Sequence, residues 1–515
     1  MRTIEADSSP SLGLYMMTPS LRFLAFPACL GVAMLASWAE AAPSSARKPA
    51  PARKPAPARK PAPAAPKNTP KNTPKKPESP VLKHEKFPAF LQLLDKQVAD
   101  NTPDYGSAVL CMLEATGGDE KALNEWMQAA ADAGNAAAER WMIGLIMADI
   151  PNEKLLAPEI QAAYKRLVKV ADKGYVPAIL DVSACLRMGI GIPKDTAAAM
   201  KRMEAAAKTG SMLARYQWLQ AAKLFTTYAD KDKPEVAAEI ERGNFYVLYR
   251  LASMAPNEAA RVQWLKDAAT KGSGDAFFAM ASLSSTIKPK ESLVLLKEAV
   301  QRFCPMALYV YASALIEDTP SNPYVREAGI TPDPERGRLL LKAAALLGDV
   351  QASLTLANAY YDGALGLPKD PKMAYFHFSN PVIASSSACA AARGLMLLMG
   401  YGVEKNAKEG MDLLERSAQS GYAYALILQA YARYKGLDSA ANANAAASLL
   451  KEAAALGSPE AYVYLAFLYA KGAEGFPADM SQARRYVRLA SIDLGDKAQQ
   501  LYDSLILKGE WEAHP

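Results

Sequence analysis

The sequence predicts an all-α protein, a right-handed α/α superhelix (solenoid) of stacked helical hairpins preceded by a disordered N-terminal region. Three observations predict it. Alanine and other helix-forming apolar residues recur throughout, with no long β-branched strand pattern. From about residue 88 the chain is self-similar, with a period near 36 residues. A glycine also closes the same kind of helix ending at eight places: Gly134, Gly174, Gly210, Gly272, Gly348, Gly421, Gly457 and Gly495.

Residues 1–41 read as a targeting segment. Residues 22–41, RFLAFPACLGVAMLASWAEA, give a leading Arg22, an apolar run and then Ala39-Glu40-Ala41, a small-x-small cleavage pattern. The acidic stretch before it is an unusual preface, and Met17 offers a more ordinary start. Cleavage and export to the periplasm or cell envelope are expected; retention as a membrane anchor is the alternative. The run is short for a bilayer span, and the residues after Cys29 do not suit lipidation.

Residues 42–82 form a linker. Three tandem RKPAPA copies occupy residues 47–64, placing Arg47-Lys48, Arg53-Lys54 and Arg59-Lys60 at six-residue intervals. Frequent proline forbids helix and removes sheet donors, so an extended, semi-rigid arm is expected. At roughly 3.1 Å per residue, about 40 residues reach about 120 Å. Between Arg47 and Lys83 there are eleven cationic residues and one acid, Glu78, a net +10 within a chain total of +6. The rest is mildly acidic, which argues against a nucleic-acid-binding body. Residues 43–80 suit an anionic envelope polymer or membrane surface; a soluble stalk is the plainer alternative.

Residues 83–515 are expected to form the solenoid, with about ten to eleven repeats. Each unit is chemically legible. Endings such as MQAAADAG at Gly134 and LKEAAALG at Gly457 combine small residues, which let helices approach closely, with a glycine that takes the left-handed helix-ending conformation. A second helix follows, as in ASLTLANAYYDG over 352–363, with an apolar stripe at three- and four-residue spacing. A glycine-rich turn then leads onward: GIGIPKD at 189–195, GALGLPKD at 363–370, GYGVEKN at 400–406. No hairpin alone buries both faces, so neighbours must stack. Units near 211–271, 311–340 and 376–387 depart from the pattern.

This pattern resembles the Sel1-like repeat family, related to tetratricopeptide repeats, with its consensus A…LG..Y..G.GV..D...A..W..KAA..G. The closest stretches are 178–210, 352–376, 390–421 and 461–495. The resemblance implies a non-catalytic adaptor, because members of the family act in signalling, quality-control and envelope assemblies. Some cysteine-rich relatives are linked to β-lactam binding or hydrolysis, but they carry a disulfide in nearly every unit. Here Cys111, Cys185, Cys304 and Cys389 are too widely spaced to pair in a solenoid and read as small buried hydrophobes.

No catalytic residue, metal ligand or cofactor site is predicted. The three histidines, His84, His377 and His514, are scattered, with His377 standing alone. No H-E-x-x-H, C-x-x-C, P-loop, G-x-G-x-x-G or G-x-S-x-G motif occurs. Glu235 and Glu239 share one side of a helix, an ordinary exposed pattern. Among the tyrosines of the C-terminal units, Tyr361, Tyr434 and Tyr462 fall out of phase with the repeat's buried position. They are the candidate partner-binding surface, since aromatic rings make effective interface anchors. The expected function is a monomeric envelope scaffold for a protein or peptide. The alternatives are a polysaccharide-associated module using the arm and exposed aromatics, or a purely structural envelope protein.

Overall fold

The computed structural model describes residues 83–147, 154–283, 288–316, 328–380 and 386–511. The predicted targeting segment, the basic arm with Arg47 to Lys60, and His514 lie outside them. Twenty-four α-helices occur among the described residues, with no strand. Helix α1 (Phe87–Ala99) leads into α2 (Gly106–Ala115) and α3 (Ala122–Asp132), then α4 (Ala136–Ile146), α5 (Pro158–Asp172), α6 (Val176–Met188), α7 (Thr196–Lys208) and α8 (Met212–Ala221). The irregular middle holds α9 (Pro234–Glu241), α10 (Phe245–Met254), α11 (Glu258–Thr270), α12 (Gly274–Ala281), α13 (Pro289–Gln301) and α14 (Pro305–Ile316). Next come α15 (Pro334–Leu346), α16 (Val350–Asp362), α17 (Pro371–Phe378), α18 (Ser387–Met399), α19 (Ala407–Gln419) and α20 (Ala423–Lys435). The last four are α21 (Ala443–Ala455), α22 (Glu460–Lys471), α23 (Met480–Leu494) and α24 (Asp496–Lys508). Consecutive helices pack on one another throughout, giving the predicted stack of hairpins.

Residue chemistry explains both turns of the unit. At Gly134 (φ 93°) the chain enters the left-handed region, and the Asn135 N–H reaches back to the Ala130 carbonyl at 3.1 Å, closing α3. The next residue starts the following helix: Asn135 accepts from the Ala138 N–H at 2.9 Å, and Ser211, Ser273 and Asp349 cap in the same way. At the other turn the acid or amide ending each glycine-rich loop caps the next helix, Asp195 at α7, Asp370 at α17 and Asn406 at α19.

Some of the irregularity has residue-level causes, while residues 317–327 and 381–385 of the departing units lie outside the described residues. The turn missing from 211–271 is replaced by a 3₁₀ segment, Tyr228–Asp232, pinned by the Asp230 carboxylate accepting from the Thr226 and Thr227 N–H groups at 2.7 and 2.8 Å. A further helix ending, Gly243 (φ 69°), falls inside that stretch. Between Gly272 and Gly348 the marker is Phe303, which takes a positive φ of 52° in place of glycine. That costs about 1–2 kcal/mol for an L-residue, and the ring is used elsewhere.

The array bends back on itself. Phe303 covers Gly106 of α2 so closely that a Cβ there would lie 2.2 Å from the ring. One continuous apolar cluster therefore joins residues of α1–α7 to residues of α13–α18, including Met112, Trp126, Leu340 and Leu356. A second cluster runs from α18 to Trp511. Units remote in sequence touch, a departure from a stack in which each unit meets only its neighbours.

Candidate functional site

The glycine-rich turns are packing devices. Gly191 donates its N–H to the Leu155 carbonyl at 2.7 Å, and a Cβ on it would lie 2.8 Å from the Ile160 carbonyl oxygen. At Gly402 a Cβ would lie 2.2 Å from the carbonyl oxygen of Pro371. The second glycine of these two loops thus lets each press onto the backbone of the preceding unit, while Gly366 in the third faces the Arg338 side chain.

The contact between distant units carries a buried polar cluster. Glu120, in the turn just before α3, is fully buried and accepts from the Tyr360 hydroxyl at 2.7 Å. His377 Nε2 lies 2.5 Å from one carboxylate oxygen of Glu120, and Lys342 Nζ lies 3.4 Å from the other. Lys342 also donates to the Gly118 carbonyl at 2.7 Å, and the His377 ring stacks on Tyr360. Burial opposes ionisation of Glu120 more than any single neighbour favours it, yet His377, Lys342 and Tyr360 together hold its carboxyl below the ordinary 4.5. A further pair, Glu114 with Arg336, flanks the cluster. His377 does not stand alone, contrary to the sequence reading: the fold brings it to an acid whose distance in sequence hid the pairing. With His377 1% and Glu120 0% exposed, the cluster is closed to a substrate and acts as a fastener.

The remaining candidates separate cleanly. Glu239 is buried and held by Arg215 at 2.9 Å, Arg242 at 2.5 Å and Asn244 at 2.8 Å, so it has no freedom to work with Glu235 as an acid–base pair. Both glutamates line a groove of about 450 Å³ with Trp218. A wider groove of about 880 Å³ lies at α13–α15, lined by Lys297, Tyr311, Ile330 and Arg336, within the stretch 311–340 that departs from the repeat pattern. His84 packs with its ring tilted against Trp126 at 5.2 Å. None of the four described cysteines is in a disulfide; burial pushes the Cys185 thiol up to about 12 and the Cys389 thiol up to about 11, leaving both unreactive. Among the described residues no cluster is arranged to hold a metal ion, and no helix is long and apolar enough to cross a membrane.

The three candidate tyrosines part company. Tyr361 is only 7% exposed, its ring set edge-on to Tyr401 at 5.2 Å, so it is removed from the surface. The reason is the contact between α16 and the Tyr401 turn, which the repeat phase alone did not reveal. Tyr434 is half-buried, against Phe467 and Trp511. Tyr462 is half-buried and stacks on Tyr486 of α23 at 6.1 Å; Tyr486 stacks in turn on Tyr469 at 5.5 Å. The result is a ladder of three rings across α22 and α23, each partly in solvent. Tyr486 was missed in the sequence because it lies on the alternate helix of its unit, with no repeat-phase signal.

The Sel1 repeat family matches at residues 124–135, 176–211, 324–349, 351–379, 386–422, 423–458 and 459–492. Those intervals take in most of the chain from residue 324 to 492 and pass over 136–175 and the irregular middle at 212–323. Among solved structures, the chain is similar to a protective antigen present in uropathogenic Escherichia coli strains displaying an SLR fold, at 19% identity over 81% of this chain and 90% of that one, with a TM-score of 0.40. It is also similar to a Sel1 repeat protein from Oxalobacter formigenes (22% identity, 49% of this chain and 98% of that one, TM-score 0.34). An immunity protein from Pseudomonas aeruginosa is more distant (14% identity, 41% and 81%, TM-score 0.31). No curated protein matches. With seven family matches, five of them phased onto helix pairs whose loops and caps serve the packing just described, the chain is a Sel1 repeat protein.

Proposed function

We propose that the protein is a non-catalytic scaffold of the cell envelope that holds a protein partner on the ring face of Tyr462, Tyr469 and Tyr486. Sel1 repeat proteins act in general as protein-interaction scaffolds. The observation that carries the reading here is the ring ladder itself: three stacked tyrosines held half in solvent by two consecutive helices. Stacking fixes the rings before a partner arrives, which lowers the ordering cost of binding. The envelope location rests on the apolar segment and small-x-small pattern of residues 22–41, and the basic arm supplies reach from the exported body to an anionic surface.

The test is affinity capture with the purified full chain from a cross-linked envelope fraction, repeated with Tyr462→Ala/Tyr486→Ala. One protein enriched by the parent and lost from the double variant supports the scaffold reading. Capture of glycan alone, unaffected by the tyrosines, moves the function to the arm and a polysaccharide-associated role.

A further inference from the structure

The last helix ends in an unusual way. α24 stops at Gly509, which takes the left-handed conformation (φ 68°) and turns the chain back. The next two residues cross the face shared by α20 and α22, and Trp511 enters a cage of rings there. Tyr464 stacks on the indole at 4.6 Å, Tyr434 stacks at 6.0 Å, and Tyr431 meets it edge-on at 5.4 Å. Trp511 is fully buried, and its indole N–H has no hydrogen-bond partner among the described residues.

The rim of the cage is cationic. Lys435 lies over the Tyr431 ring at 5.9 Å and Lys471 over the Phe467 ring at 5.6 Å. The two lysines occupy the same place in consecutive units, each immediately before the glycine that ends its helix. They also hold the tail: Lys435 pairs with Glu510 at 3.4 Å, and Lys471 donates to the Gly509 carbonyl. Both anchors are at the surface, and exposed ion pairs contribute little to stability. The tail is held mainly by one side chain in one cage.

We infer that the α20/α22 face is a binding groove for a peptide bearing an acidic residue followed by an aromatic one, and that Glu510–Trp511 is the chain's own occupant of it. The cage supplies stacking and the two lysines supply charge complementarity, the division of labour of an anchor pocket with a polar rim. The tail is then an internal competitor that a partner segment of the same chemistry displaces. This inference rests on the scaffold reading and names the chemistry of its ligand.

The test uses the full chain and a fluorescent peptide Gly-Glu-Trp-Glu-Ala, with Gly-Glu-Ala-Glu-Ala as control, followed by anisotropy. Two variants vacate the groove: Trp511→Ala, and Glu510→Lys, which sets a third cation against Lys435 and Lys471 while keeping the indole. Far-ultraviolet circular dichroism identifies the variants that keep the helical fold. The expected result is that a folded variant binds the Trp peptide at least about tenfold more tightly than the parent, that the control peptide does not bind, and that adding Tyr464→Ala abolishes the gain. No gain in either folded variant, or equal binding of both peptides, overturns the proposal. Concentration-dependent dimerisation of the parent that Trp511→Ala removes, without peptide uptake, assigns the groove to the tail of a second copy and also overturns it. Partner capture that still depends on Tyr462 and Tyr486 would then leave the scaffold reading standing while this one falls.

Discussion

The Tyr360 hydroxyl donates to the Glu120 carboxylate at 2.7 Å across 240 residues of sequence. In an array of short-range repeats that bond requires the chain to come round on itself, and the partners packed about it make it a closure point. Lys342 and His377 reach the same carboxylate, and Phe303 wedges over Gly106 nearby. Removing any one member therefore loosens the join between distant units and leaves the hairpins themselves intact.

Glu120→Ala should be the most damaging single change in that cluster. It leaves Lys342 and His377 buried without their acid, a loss of about 3–5 kcal/mol for breaking a buried pair. Glu120→Gln keeps an acceptor for Tyr360 and should cost less. Urea unfolding followed by helix signal checks the order; equal stability of Glu120→Ala and the parent would refute the closure role.

Acid should weaken the same join. Because the folded-state carboxyl of Glu120 lies below its unfolded value of 4.5, its contribution is complete above that value and is lost as pH falls through the folded one. The parent should lose stability in this acid window more steeply than Glu120→Gln. Superimposable pH profiles of the two proteins would contradict the assignment.

Two glycines separate conformational cost from steric cost. A Cβ at Gly134 meets nothing within 4 Å, so Gly134→Ala should cost only the left-handed penalty, about 1–2 kcal/mol. At Gly402 the Cβ meets the Pro371 carbonyl at 2.2 Å, so Gly402→Ala should cost more and disturb α17. Thermal melts of the two variants decide it, with the ranking reversed if the loop glycine serves only its turn.

Phe303→Gly trades two terms. It relieves the positive φ and deletes the ring that covers Gly106. If the ring is what fastens α2, the variant should be less stable than the parent despite the relieved backbone, and limited proteolysis should cut sooner near α1–α3. A more stable variant would make Phe303 mere strain.

Much of the fold was legible because its determinants are local. Helix-ending glycines such as Gly174 and Gly457, loop acids such as Asp195 and Asp370, and the apolar stripe of α22 each act within a few residues. The join at Glu120, Tyr360 and His377 was not legible, since it depends on the accumulated rotation of several units, which no window of one period contains. Phe303 was hidden because a left-handed phenylalanine breaks the glycine signal by which units were recognised. The surface was half legible: repeat phase pointed to Tyr462 and Tyr434, but it exposed Tyr361, which Tyr401 covers, and passed over Tyr486 and the cage around Trp511.

The scaffold reading is tested most directly by placing a photo-cross-linking amino acid at position 462, and separately at exposed position 451 on α21, in the full chain in its own cells. Position 462 should give one discrete protein adduct that disappears with Tyr486→Ala, and position 451 should give none. No protein adduct from position 462, or the same adducts from both positions, would contradict it.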